Sequence, residues 1–145
     1  MLKKIKLDIE SYIENLTDSG VPDGEAEKNK SSYVGTMRIA DGAITLSYKE
    51  ADENGTVSCS IVTEGKRATV RRNGSIVSTL VFEENEVFET VYSIPPYKFD
   101  MTVKTERLIN TLSIFGGMLE IIYSMDVGGA KKKAKMKIEA SEVTG

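Results

Sequence analysis

The sequence predicts an all-β protein, an up-and-down antiparallel β-barrel of eight to ten strands closed on itself. Three observations carry this. Turn-forming pairs recur about every ten residues. They are Asp41-Gly42, Asn54-Gly55, Glu64-Gly65, Asn73-Gly74, Glu84-Asn85, Pro95-Pro96, Gly116-Gly117 and Gly128-Gly129. The runs between them alternate apolar and polar residues with the period of two that a strand imposes. Helical periodicity is nearly absent. Gly and Asn tolerate the positive φ of tight hairpin turns, so such pairs can fold the chain straight back.

The elements follow in order. The first strand carries Ile5, Leu7 and Ile9 on one face. Ile5, Ile9, Tyr12, Ile13 and Leu16 also fit a helical stripe, but the Ile-Lys-Leu-Asp-Ile alternation favours strand. Residues 17–30, with Gly20, Pro22, Gly24, Asn29 and several charges, read as a long loop. Next come strands with Tyr33, Gly35, Met37 and Ile39; with Ile44, Leu46, Tyr48 and Glu50; with Val57, Cys59 and Ile61; and with Ala68, Val70 and Arg72. The sixth, Ile76 to Phe82, is apolar on both faces, so its facing is open. Val87 to Tyr92 and Phe99 to Val103 follow, then a weaker run from Leu108 to Ile114. Leu119, Ile121, Tyr123 and Met125 form the next strand, and Ala134, Met136 and Ile138 the last. Hairpin-short connections make neighbours antiparallel. A meander of this size leaves two raw edges unless it closes.

Composition narrows the function classes. The 145 residues fit a single domain (residues 1–145) with a real core. A net charge of −3 argues against nucleic-acid binding. The basic run Lys131-Lys132-Lys133 reads as edge-guarding or solvated lysines. There is no histidine, which removes the commonest general base and most zinc or haem ligand sets. Hence no metal, no cofactor and no catalytic set is expected. The lone Cys59 continues an apolar strand face and reads as a small buried hydrophobe. Charge interrupts the N-terminus too often for a signal peptide or membrane span, so the expected location is cytoplasmic, without membrane attachment.

Alternation also places candidate functional residues. In a meander the odd-numbered strands run the same way, so their C-terminal ends meet at one end of the barrel. Glu50, Arg72 and Tyr92 close the third, fifth and seventh strands there. Glu50 and Arg72 point inward by parity, and strands two apart lie roughly 10 Å from one another, a span two long side chains bridge. The 17–30 loop and Pro95-Pro96-Tyr97 fall at the same end. One reading is a mouth, an Arg–Glu–Tyr cluster receiving a polar or anionic head group above an apolar cavity. The other is a plug, in which an inward Arg is satisfied by a carboxylate and a tyrosine inside a filled barrel. Tyr33, Tyr48 and Tyr123 share the inner face, as core or as ligand platform. Tyr48, Glu50, Arg72, Tyr92 and Tyr123 are therefore the candidate ligand-binding residues. Glu83-Glu84 reads as a pair of solvated turn charges.

Residues 31–140 resemble the YwiB-like family of small bacterial proteins of unknown function. The resemblance rests on Tyr48-Lys49-Glu50, Arg72-Asn73-Gly74, Leu80-Val81-Phe82, the segment from Tyr92 through Phe99-Asp100-Met101, and Leu119-Glu120-Ile121-Ile122-Tyr123. Lys98 stands where the family pattern has a glycine after the aromatic. The resemblance implies a lipocalin-like, calycin-type barrel and, by analogy with calycins, binding of a small apolar molecule. Three functions compete on the sequence. The first is a module binding a small, partly apolar ligand with a polar or anionic end. The second is a packed scaffold, a homodimer through a face such as the sixth strand being its simplest form. The third is an enzyme with Glu50 as base and Arg72 as its electrostatic partner. A cavity above roughly 300 Å³ favours the first and a filled barrel the second.

Overall fold

The computed structural model describes residues 1–53 and 55–143. The strands are β1 (Leu2–Asn15), β2 (Glu27–Ala40), β3 (Ala43–Asp52), β4 (Gly55–Glu64), β5 (Arg67–Gly74), β6 (Ser78–Glu83), β7 (Val87–Ile94), β8 (Tyr97–Asn110), β9 (Gly117–Val127) and β10 (Ala130–Glu142). All pairings of this ten-stranded sheet are antiparallel, in the order β6-β5-β4-β3-β2-β1-β10-β9-β8-β7. The meander is joined by pairing its first strand to its last, from Ile5↔Glu142 to Asn15↔Lys132. The expected turn pairs fall at strand ends or between strands. Asp41 and Gly42 take φ of 54° and 80°, the tight reversal that a two-residue hairpin needs. Asn54, of the Asn54-Gly55 pair, lies outside the described residues. Among the described residues no helix is long and apolar enough to cross a membrane.

The remaining seam lies between β6 and β7, and bonds at its two ends nearly close it. Val77 and Ser93 exchange backbone bonds of 2.8 and 2.9 Å at one end. At the other, Asn85 N donates to Thr105 O at 2.9 Å, and Leu108 N donates to the Glu84 carboxylate at 2.9 Å. Glu83 pairs with Arg67 at 3.0 Å. Of the two carboxylates expected to be idle turn charges, Glu84 therefore ties the β6–β7 turn to β8, and Glu83 adds an ion pair to the β5–β6 ladder.

Three sequence expectations change, and the open facing of the sixth strand is decided. The 17–30 loop is shorter, since β2 begins at Glu27. Lys28 lies over the Tyr12 ring at 5.8 Å and Lys30 pairs with Glu10 at 3.2 Å, so these charges solvate the outer face of a strand. The run from Leu108 belongs to β8, where a bulge between Thr105 and Arg107 shifts the register. The bulge reverses the parity, so the inward set passes from Val103 and Thr105 to Leu108 and imitates a new strand. The sixth strand turns Leu80 and Phe82 inward, leaving Val81 half-buried on the other face. β10 pairs on both sides, so its lysines guard no edge.

The core fills one half of the barrel. Ile5, Leu7, Leu46, Ile61, Phe82, Leu119, Ile121 and Ile138 are fully buried there. The Phe82 and Tyr123 rings meet at 4.8 Å and 59°, a tilted contact that aromatic quadrupoles favour. Toward the other end the wall divides. The β2–β3 ladder runs only from Ala40↔Ala43 to Thr36↔Ser47. Upstream of Gly35, β2 pairs with β1 alone. A Cβ at Gly35 would strike the Ser47 carbonyl, so glycine permits the close crossing from which the strands part. Tyr33 and Tyr48 stand beside this split, with rings 4.8 Å apart. Replacing Gly35 by Ala is expected to destabilise the fold by about 1–3 kcal/mol through overpacking against backbone. Val34→Ala, on an exposed side chain, should cost under about 0.5 kcal/mol. Urea midpoints of the two variants test the contrast.

Candidate functional site

Cross-strand register builds the site. Tyr48 of β3 sits opposite Cys59 of β4, Cys59 opposite Arg72 of β5, and Arg72 opposite Ser78 of β6. All four face inward. Cys59 is the small member, and over it the longer side chains of β3 and β5 approach one another. Arg72 Nη2 lies 3.8 Å from Glu50 Oε1, and the Tyr48 hydroxyl donates to the same oxygen at 3.4 Å. Both contacts are long. The Arg72 and Glu50 side chains retain 33% and 27% exposure, which places the pair between a surface ion pair and a buried one. The Nε of Arg72 is buried and has no acceptor among the described residues.

In front of Arg72 lies a cavity of about 400 Å³ in the half of the barrel that the core leaves unfilled. Tyr92 and Tyr123 line it with Arg72, and Val70, Met101 and Met125 contribute apolar wall. Of the five sequence candidates, Arg72, Tyr92 and Tyr123 border the cavity. Tyr48 and Glu50 do not line it, and reach Arg72 across β4. Arg72 therefore has the carboxylate partner of the plug reading, with Tyr48 bonded to that carboxylate, while the barrel in front of it is not filled. The connection at 16–26 adds no residue to the cavity lining; Asn29 of β2 does.

Sequence reasoning missed Lys132. It lines the cavity between the outward Lys131 and Lys133. Lys131 Nζ donates to the Asp18 carbonyl at 3.1 Å and Lys133 lies 3.5 Å from Glu106. The parity of Ala134, Met136 and Ile138 was the available signal, since extending it backward turns Lys132 inward.

Electrostatics follow from burial. Burial, the largest single influence, works against the Arg72 charge, but Glu50, Tyr48, Cys59 and Tyr92 together outweigh it, and the guanidinium is held above its usual range. Burial pushes the Tyr48 hydroxyl well up, with further contributions from Cys59 and Glu50. Burial, then Glu50, raises the Cys59 thiol, which favours the inert neutral form. Burial raises Tyr123 too, with Arg72 opposing. Tyr48 is therefore a neutral donor toward Glu50.

Two outcomes follow. The coupling between Arg72→Met and Glu50→Gln in a double-mutant cycle is expected to be about 1 kcal/mol, above a surface pair and below a fully buried one. Additive single changes would show the pair to be energetically empty. Second, the folded chain keeps protons on Cys59, Tyr48 and Tyr123 that the unfolded chain releases near the usual values of 9.0 and 10.0. Raised folded values mean that this stability is present below pH 9 and lost as pH rises from there. Urea midpoints should hold steady up to about pH 8 and then decline. Tyr48→Phe should flatten the decline; an unchanged slope would remove Tyr48 from the account.

A family model described as a domain of unknown function (DUF1934) matches residues 15–139. The crystal structure of the ywiB protein from Bacillus subtilis superposes with a TM-score of 0.86 over 99% of this chain and 94% of that one. The two are 22% identical, so this likeness establishes the fold alone. No curated protein matches the sequence. The ten-stranded, nearly closed barrel agrees with the resemblance read from the strand motifs. With the family model covering most of its length, the chain belongs to the DUF1934 family of domains of unknown function.

Proposed function

We propose that this barrel is a binding module that takes a small, partly apolar molecule into its hollow half and holds the molecule's polar or anionic end at Arg72, in the manner of lipocalin-like barrels. One observation carries the reading: Arg72, a half-buried cation, lines a cavity of about 400 Å³ with largely apolar walls. An acceptor on an incoming molecule gains a charge-assisted hydrogen bond from the guanidinium, worth about 1.5–3 kcal/mol. The volume falls within the range of small-molecule sites, and Tyr92 and Tyr123 add ring surface and hydroxyls. The neutral, buried Cys59 suits a reducing cytoplasmic setting. The scaffold reading has less support. The outer face of β6 carries exposed Thr79, half-buried Val81 and the ion-paired Glu83, not a continuous apolar strip.

Native mass spectrometry of protein purified from its own host provides the test. The expected result is a stoichiometric adduct on the wild type that Arg72→Met loses while its circular dichroism stays β-dominated. A wild type without adduct, and without saturable fluorescence from the apolar anion anilinonaphthalene sulfonate, would favour the packed scaffold.

A further inference from the structure

We infer that the occupant of this cavity is an organic anion with a hydrocarbon body, and that Lys132 is the residue that selects its charge. The inference rests on the binding reading above and narrows it to a ligand class. Lys132 opens β10 between Asn15 of β1 and Met125 of β9, half-buried and facing the barrel interior. Among the described residues its ammonium has no hydrogen bond and no ion pair, whereas the lysines on either side are both engaged.

The other cation of the cavity, Arg72, has its counter-charge in Glu50, which approaches from behind and does not line the cavity. The hollow therefore presents two cations, with one carboxylate set back from it, and carries a fixed excess of one positive charge. An ammonium without a counter-ion at the wall of a cavity offers an anionic head group a charge-assisted hydrogen bond. Met125, which pairs with Lys132 across the β9–β10 ladder, and Met136 and Val127 nearby give flexible apolar wall to a hydrocarbon body. A neutral apolar molecule would fill the wall but leave Lys132 as it is. A fully polar anion would satisfy Lys132 but waste the wall.

Octanoate and octanol test this as a pair, because they share a body and differ in charge. Calorimetric titration at neutral pH should show the wild type preferring octanoate by about tenfold, the scale of one charge-assisted hydrogen bond. Lys132→Met should keep octanol binding and lose the preference, and Lys132→Arg should retain it. Lys132→Gln gives a second neutral variant should the Met change disturb folding. If the neutral variants keep the full preference, the selection does not reside in Lys132 and the inference falls, although binding in the cavity stands. If the wild type takes neither probe, the binding reading fails and this inference fails with it.

Discussion

Closure of the meander is the constraint on which everything else depends. A single antiparallel sheet of this many strands has two edges of unpaired backbone, each a template for aggregation. This chain removes them by pairing its first strand to its last over a long ladder, from Ile5↔Glu142 to Asn15↔Lys132. The joint suits closure because both strands are long, and Lys3 pairs with Glu142 at 2.8 Å where the ladder begins. What remains open is then displaced to consecutive strands, β6 and β7, where short backbone bonds at Val77–Ser93 and Asn85–Thr105 suffice.

The hollow arises from the same geometry. Where strands pair on both sides, inward side chains interlock and the barrel is solid, as around Leu46, Leu119 and Ile138. At the other end the ladder between β2 and β3 stops at Thr36↔Ser47 and the wall widens. Inward positions there cannot all meet their opposite numbers. They are filled by long, polar-tipped residues, namely Arg72, Tyr92 and Lys132, which reach into space without packing it. One glycine, Gly35, marks where solid barrel gives way to split wall.

Much of this was legible in the sequence because a strand has a strict period. Counting by twos from Leu46 and from Ala68 placed Glu50 and Arg72 inward at one end, and the register brings them to 3.8 Å. The failures have physical causes. Charges at 27–30 imitate a loop, although cross-strand partners such as Glu10 and Tyr12 allow a charged outer face to be regular strand. The bulge after Thr105 reverses parity inside one strand, which no count by twos detects. Lys132 was hidden by composition, because three consecutive lysines read as one solvated run although a strand must send the middle one to the opposite face. The cavity itself has no sequence signature, since volume depends on how strands diverge and not on which residues they carry.

The charge balance adds a last step. The chain is acidic overall, at −3, and some of its outer lysines pair with neighbouring carboxylates, as at Lys30–Glu10, Lys133–Glu106 and Lys135–Glu120. Outside the barrel, exposed charge is screened by solvent and salt, and at physiological salt it projects little field beyond about 8 Å. Within the hollow the reverse holds. Low-dielectric walls screen charge weakly, so the ammonium of Lys132 and the Arg72 guanidinium count for more in the cavity they line than the same charges would in water. An acidic protein whose exposed lysines are screened by solvent, yet which turns one inward without an ion pair, concentrates its attraction for anions in the interior. Selection by such a site is local, favouring an anion once its body has entered the wall, in place of the long-range steering that a basic surface would supply.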